Sequence, residues 1–123
     1  MNKGVEIKWL PKPEEKDYLA AESYLWLAYD KKTVQKLVVR LRKVSMAQFA
    51  ANDIFRASGL SLLGVSNSHV EKERKKVIDG KQLSPILLVR DERNSKVIIA
   101  DGYHRMCAVY SFDEDAFIPC KIV

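Results

Sequence analysis

The first part of the chain carries two stretches in which apolar residues recur about every 3.6 residues, the period of an α-helix. The first stretch opens at Glu14, after two prolines, with acids in its first turn and Tyr18, Leu25 and Trp26 in phase. A short apolar run at residues 7–10 precedes the prolines and is typical of a strand. We therefore predict a short strand followed by a helix with a buried body.

Residues 31–43 predict a second helix with two contrasting faces. Apolar side chains share one face, as in a helix packed on a core. Cations share another face at spacings of three or four residues, an arrangement that could contact a nucleic-acid backbone. A solvated helix surface accounts for the same stripe and is the simpler interpretation. The apolar set is Val34, Leu37, Val38 and Leu41, and the basic set is Lys32, Lys36, Arg40 and Lys43.

Two interpretations of residues 45–59 stay open on the pattern alone. In the first, Ser45 and Gln48 form a capping box that starts a helix ending at the glycine of this segment. In the second, residues 46–50 form a short strand and a helix begins near Asn52. The pattern does not separate a strand followed by a helix from one continuous helix.

The pattern is clearer after residue 65. Ser68 and Glu71 fit a capping box, which predicts a charged helix that ends before Gly80. Two short apolar runs, residues 86–89 and 97–100, flank a polar turn and predict a buried hairpin.

The end of the chain predicts one more helix and one more strand. Asp101 and Gly102 interrupt the second hairpin strand, a helix follows at residues 103–112, and residues 117–123 form a last strand. The whole chain is then of the α+β class, with small strands and helices in one domain spanning residues 1–123.

The amino-acid composition agrees with one folded domain and indicates the cellular compartment of the protein. The chain has 123 residues, 47% of them hydrophobic and 30% charged, which is enough to bury a core. No apolar run approaches the roughly 20 residues that span a bilayer, and the start lacks a signal-peptide pattern, so we predict no membrane partner. Two cysteines suit a reducing cytoplasm. The formal charge of +5 permits an anionic partner without naming one.

The residues that carry candidate chemistry are Asp101, Gly102, Tyr103, His104 and Arg105. They form a strand end, a glycine turn and a helix start with two potential cations in its first turn. A helix N-terminus exposes unpaired N–H groups and disfavours cations, so an incoming anion such as phosphate would resolve the conflict. The alternative without a ligand has Asp101 capping the helix, Arg105 paired with a neighbouring acid and His104 on the surface.

This arrangement resembles the ParB/sulfiredoxin superfamily, and the chain is most similar to small bacterial proteins described as ParB N-terminal domain-containing or ParB-like nuclease domain proteins. The likeness covers residues 65–123 and favours the strand interpretation of residues 46–50. It implies a ParB/sulfiredoxin-like core over residues 45–123, with a small mixed sheet, and a helical extension over residues 1–44. The runs similar to the superfamily are Val70 to Gly80, Leu83-Ser84-Pro85-Ile86-Leu87-Leu88-Val89 and Asp101-Gly102-Tyr103-His104-Arg105 with Ala108. The runs similar to the small bacterial proteins are Asp53-Ile54-Phe55-Arg56-Ala57-Ser58, Leu83-Ser84-Pro85, Ile99-Ala100-Asp101-Gly102-Tyr103-His104-Arg105 and Cys120-Lys121-Ile122.

The resemblance implies that the turn cradles nucleotide phosphates. Gly102 would allow close approach, and His104 and Arg105 would contact phosphate oxygens. A related group of free-serine kinases carries a similar Asp-Gly-His-His-Arg run, which implies NTP hydrolysis or phosphoryl transfer with magnesium, with Asp101 and His104 as the catalytic candidates. Sulfiredoxins have a catalytic cysteine where this chain has Tyr103, so their reductase activity is not expected.

Two alternatives to nucleotide binding remain at this point. ParB partition proteins carry an Arg-Arg pair at this turn and a helix-turn-helix module after it, and this chain shows neither, so site-specific DNA reading in the partitioning manner is not expected. A DNA-associated accessory protein or nuclease would use the basic helix at residues 31–43. A non-catalytic protein-interaction domain would keep the fold with an inactive pocket.

Other residue types add one candidate to the site and remove several. His69 lies at the start of the charged helix that ends before Gly80, and it joins the phosphate site if both helix starts point to the same place. Cys107 is predicted to be a buried structural thiol. The two cysteines do not have the Cys-x-x-Cys spacing of a zinc site, so no zinc site is predicted. The aromatic residues Tyr24, Trp26 and Tyr29 are predicted to lie in the core, with an oligomer contact as the alternative.

Overall fold

A computed structural model describes residues 4–123, and within them the α+β class is confirmed. The sequence-predicted order of strands and helices is present, including two helices ahead of the main sheet. None of the helices in this described part combines the length and apolar character needed to cross a membrane. The elements are β1 Lys8–Trp9, α1 Glu15–Leu25, α2 Lys31–Lys43, β2 Ala47–Ala50, α3 Ala51–Ser58, α4 Ser68–Ile78, β3 Gln82–Leu83, β4 Ile86–Asp91, β5 Lys96–Asp101, α5 Tyr103–Phe112 and β6 Phe117–Ile122.

The main sheet is mixed and has the order β2-β6-β4-β5. The predicted hairpin is its β4-β5 pair, which is antiparallel and places Val89 opposite Ile98. β6 runs parallel to β4 and antiparallel to β2, so the last strand of the chain joins the hairpin to β2. A second, two-stranded sheet pairs β1 with β3 in parallel.

Helices cover both faces of the sheet, which is why β4 is buried along most of its length. Leu87 and Val89 face α1 and α2, whereas Ile86 and Leu88 face the cluster that includes α3, α4 and α5. This alternation follows from the two-residue period of a strand. Because both faces are covered, the β4 segment reads as a continuous apolar run rather than an alternating one.

Residues 45–59 follow the second of the two interpretations left open by the pattern. β2 occupies Ala47–Ala50 and α3 begins directly at Ala51. The amide of Ala51 donates to Ala116 O at 2.8 Å, which ties the start of α3 to the segment before β6. A strand here completes the sheet edge beside β6, a long-range pairing that local pattern does not encode.

The predicted capping box at Ser68 and Glu71 is wrong. Asn67 is the N-cap of α4, and its Oδ1 accepts hydrogen bonds from the amides of His69 and Val70 at 3.0 and 3.1 Å. Asparagine is as good a cap as serine and stands one residue earlier, so the helix starts at Ser68. The predicted end holds, since Gly80 follows α4 with a φ of +73°.

The aromatic cluster predicted for the core is also wrong for two of its three members. Tyr24 and Trp26 are 47% and 62% exposed, and Tyr29 is half-buried. Helix α1 ends at Leu25, and its buried residues are Asp17, Tyr18, Ala21 and Leu25, which share one face. Tyr24 lies off this face, and Trp26 lies in the turn beyond the helix, where Lys31 Nζ sits 5.7 Å from its ring centre.

Candidate functional site

The turn before α5 has a backbone that only glycine accommodates. Gly102 is the N-cap of α5 and has a φ of +106°, in the left-handed region. A Cβ at this position would lie 2.4 Å from Ile86 Cγ2 and 2.9 Å from Arg105 Nη2. Since Gly102 has no side chain to cap the helix, the first-turn amides of Tyr103, His104 and Arg105 have no helical acceptor.

The structure brings His69 to His104. Each histidine is the second residue of its helix, α4 for His69 and α5 for His104, and the two ring centres lie 4.9 Å apart. Both helix starts therefore point to one place, which is the condition for His69 to join the site. Tyr103 adds a third ring, 5.5 Å from that of His104.

His104 lies in surroundings that disfavour its protonation. Partial burial lowers the pKa of His104 below its usual value, and the charges of His69 and Arg105 lower it further. Glu73 acts in the opposite direction. The carboxylate of Glu73 is mostly buried, and its Oε2 has no hydrogen-bond partner in the described part of the chain. Sequence reasoning missed Glu73, although its position one turn after His69 on α4 could have indicated it.

Arg105 is paired inside the protein. Its Nη2 lies 2.8 Å from Asp101 Oδ2, 4.0 Å from Asp17 Oδ1 and 3.4 Å from Pro85 O. The pairing of Arg105 with a neighbouring acid, part of the alternative without a ligand, is therefore present. Its other two parts are not, because Gly102 and not Asp101 occupies the N-cap position of α5, and His104 is half-buried.

Asp17 is the residue of this group that the sequence did not indicate. It lies on α1, in the N-terminal extension, and only 4% of it is exposed. Nothing in the spacing of residues 14–25 distinguishes this acid from the other acids of the first turn. The approach of α1 to the start of α5 is a tertiary contact between segments more than eighty residues apart.

Burial is the main cause that raises the pKa of the Asp101 carboxyl above its usual value. Arg105 opposes this by stabilising the carboxylate, and Asp17 adds to it through like charge and direct side-chain contact. Asp101 thus has a conflicting environment, a property that titratable groups in functional sites often share.

Cys107 behaves as predicted and is buried, with none of its surface exposed. Burial raises the pKa of its thiol, which keeps the sulfur protonated and unreactive. Burial also raises the pKa of Tyr103, whose hydroxyl donates to the carbonyl of Ser61. Across residues 4–123 there is no group of three or more acidic, histidine or cysteine side chains that could hold a metal ion.

The basic residues predicted on α2 form a separate surface. All four cations of the stripe are exposed, on the side of α2 opposite its buried residues. Arg40 and Lys43 line a groove together with Arg90 of β4, which the sequence pattern did not indicate. No ion pair joins these three cations to a carboxylate among the residues that the structure describes.

Comparisons with known proteins add no family to this description. No protein-family model matches the chain, and no curated protein or solved structure matches it either. The ParB/sulfiredoxin resemblance stays a prediction, carried by the sequence runs alone.

Proposed function

We propose that this protein binds a phosphate-bearing ligand, a nucleotide, at the paired starts of α4 and α5. The observation that carries the proposal is the 4.9 Å approach of the His69 and His104 rings, each in the first turn of its helix. Two helix N-termini supply partial positive charge to one place, and the uncapped first turn of α5 and the two imidazoles supply N–H donors. Such an arrangement suits an anion with several oxygens.

Arg105 gives the proposed site a further donor. Its described hydrogen bonds all involve Nη2, whereas its Nε is buried and has no partner within residues 4–123. A buried guanidinium N–H without an acceptor costs free energy, and a phosphate oxygen would satisfy it once the side chains that cover Nε move aside. The role that the resemblance implies for Arg105 is compatible with this geometry.

Catalysis at this site would fall to Asp101 and His104. Asp101 has a raised pKa and His104 a lowered one, and a shifted pKa of this kind suits groups that exchange protons during NTP hydrolysis or phosphoryl transfer. Magnesium on a nucleotide commonly uses only one or two protein carboxylates, the remaining ligands being phosphates and water. Asp101 is the carboxylate that would hold it.

The direct test is isothermal titration with ATP, ADP and CTP, with and without magnesium. We expect binding of at least one nucleotide and its loss in Arg105→Ala. The matched control is Arg56→Ala, because Arg56 is an exposed arginine that pairs with Asp53 on the surface of α3. No heat with any nucleotide would refute the proposal.

Bound phosphate also has a signature at His104. An anion beside the imidazole stabilises its charged form, so the pKa of His104 should rise towards or above its ordinary value when the ligand is added. Nuclear magnetic resonance of the imidazole protons measures this shift. A His104 pKa that is unchanged at saturating ligand would place the ligand elsewhere.

A second candidate function is favoured by the groove beside Arg90. Cations on α2 and β4 that make no ion pair within residues 4–123 extend the basic stripe beyond one helix, and exposed Lys and Arg at intervals of one helical turn suit a chain of phosphates. A DNA-associated protein or nuclease would use this surface, formed by Lys32, Lys36, Arg40, Lys43 and Arg90. A protein-interaction domain without catalysis is the outcome if neither surface binds a phosphate.

Fluorescence anisotropy with a labelled single-stranded oligonucleotide tests this second candidate. Binding should weaken steeply with salt and be lost when Lys36 and Arg40 are both changed to Glu. Changing Lys72 and Lys75 to Glu makes the same change of net charge on α4 and should leave binding within about threefold. Equal losses in both double variants would mean that the interaction follows net charge and not this surface.

A further inference from the structure

Two carboxylates and one guanidinium are buried together where α1 meets the turn before α5. Asp17 comes from α1, Asp101 from the end of β5 and Arg105 from α5. The side chains are only 5%, 16% and 14% exposed respectively. With both acids ionised, this group carries an excess negative charge beside the proposed phosphate site.

Asp17 is held in place and cannot simply turn away. Its Oδ2 accepts a hydrogen bond from the amide of Glu14 at 2.8 Å, which closes the capping box of α1. The side chain of Glu14 in turn accepts a hydrogen bond from Ser84 Oγ at 2.8 Å. The first turn of α1 is thereby attached to the segment before β4, next to Pro85, whose carbonyl also faces Arg105.

The two acids bear differently on Arg105. Asp101 makes a charge-assisted hydrogen bond of 2.8 Å, which orients the guanidinium. Asp17 is 4.0 Å from the same nitrogen, at the limit of an ion pair, and contributes charge more than orientation. Both pull on Nη2 and leave the buried Nε without a partner among the described residues.

We propose that Asp17 sets the affinity of the site for anions, because its carboxylate competes with the ligand for the positive charge of Arg105. This inference rests on the proposed function, since it describes regulation of the same site by the N-terminal extension. Both carboxylates repel a phosphate that binds Arg105. Asp101 also orients the guanidinium, so only the removal of the Asp17 charge should strengthen phosphate binding.

The variant that isolates the charge is Asp17→Asn. Asparagine has the same shape, and its Oδ1 can still accept from the amide of Glu14. Asp101 remains to orient Arg105. Removing one buried negative charge next to the site should therefore tighten phosphate binding by about five- to tenfold.

The experiment titrates ATP and inorganic pyrophosphate into the wild type and three variants. Asp17→Asn should bind about five- to tenfold more tightly than the wild type. Glu22→Gln removes one negative charge from an exposed position of the same helix and should change the dissociation constant by less than about twofold. Arg105→Ala should bind neither probe.

The outcomes separate this inference from the proposed function. If the wild type binds and Arg105→Ala does not, but Asp17→Asn binds equally or more weakly, only the role of Asp17 is refuted. If neither the wild type nor any variant binds either probe, the proposed function fails and this inference fails with it. Binding by the wild type and by Glu22→Gln, tighter binding by Asp17→Asn and none by Arg105→Ala would support both.

A measurement without ligand checks the coupling on which the inference depends. The pKa of the Asp101 carboxyl, followed by nuclear magnetic resonance, should fall in Asp17→Asn because Asp17 helps to raise it. Glu22→Gln should leave it unchanged. An Asp101 pKa that is the same in Asp17→Asn and wild type would refute the inference regardless of any titration result.

Discussion

At the scale of single residues, the candidate site consists of residues whose backbone conformation, charge or hydrogen bonding is unfavourable in their surroundings. Gly102 has a left-handed backbone beside Ile86, the pKa of His104 is lowered, and Arg105 has a buried N–H without an acceptor in the described chain. Local strain and unsatisfied polar groups gather at functional sites more often than elsewhere. The sequence indicated all three residues, whereas the contact of Asp17 with Arg105 was visible only in three dimensions.

Gly102→Ala should destabilise the protein by about 2–5 kcal/mol, because the left-handed φ and the overlap with Ile86 both oppose a side chain. Gly64→Ala is the matched control, since a Cβ at residue 64 would meet no described atom within 4 Å, and it should change stability by less than about 1 kcal/mol. Chemical denaturation measures both. Similar values for the two variants would contradict this account of the turn.

His104 should make stability depend on pH. Its pKa is lower in the folded protein than in the unfolded chain, where a histidine titrates near 6.5, so the unfolded chain binds more protons between the two values. The contribution of His104 to stability should therefore be constant above about pH 6.5 and fall as pH decreases towards the folded pKa. Denaturation midpoints in His104→Gln should lose this part of the pH dependence, and an unaltered profile would contradict it.

At the scale of elements, the ends of helices decide what the site can offer. Asn67 satisfies two amides at the start of α4, whereas Gly102 leaves the first turn of α5 uncapped. The two helices that meet at the histidines therefore differ in their free hydrogen-bond donors, and α5 is the one whose first-turn amides can donate to a ligand. A cap one residue before the expected serine was enough to shift the predicted start of α4.

Asn67→Ala should destabilise the protein by about 1 kcal/mol, because two amides of α4 lose their acceptor. Ser68→Ala should have a smaller effect, since Ser68 lies inside the helix and makes no cap. Thermal and chemical denaturation of the two variants compare them directly. A larger loss of stability in Ser68→Ala than in Asn67→Ala would support the capping box that the sequence suggested and contradict Asn67 as the cap.

At the scale of the whole molecule, the sheet has a helical layer on each face, and the N-terminal layer does more than cover it. Helices α1 and α2 bury Leu25, Val38 and Leu41 against β4 and β5, and the same docking carries Asp17 to Arg105. Stability of the extension and charge at the site are therefore linked through one interface. The basic face of α2 points away from this interface to solvent.

Leu25→Ala should cost about 2–5 kcal/mol, because the side chain is fully buried and its removal leaves a cavity. Leu27→Ala, two residues later and 85% exposed, should change stability by no more than about 0.5 kcal/mol. Denaturation of both variants tests whether α1 is a structural part of the domain. Equal small effects would mean that the N-terminal layer does not contribute to the folded core.

The sequence by itself determined most of the local structure of this protein. The spacing of the apolar residues, the glycine at residue 102 and the polar turn between two apolar runs were enough to locate α2, α5 and the β4-β5 hairpin. Each of these signals acts between residues that are close in sequence. The choice at residues 45–59 and the exposure of Trp26 needed the fold, since strand pairing and burial depend on distant partners. Tertiary structure alone placed Asp17 against Arg105 and His69 against His104, because electrostatic contacts between remote segments leave no local pattern.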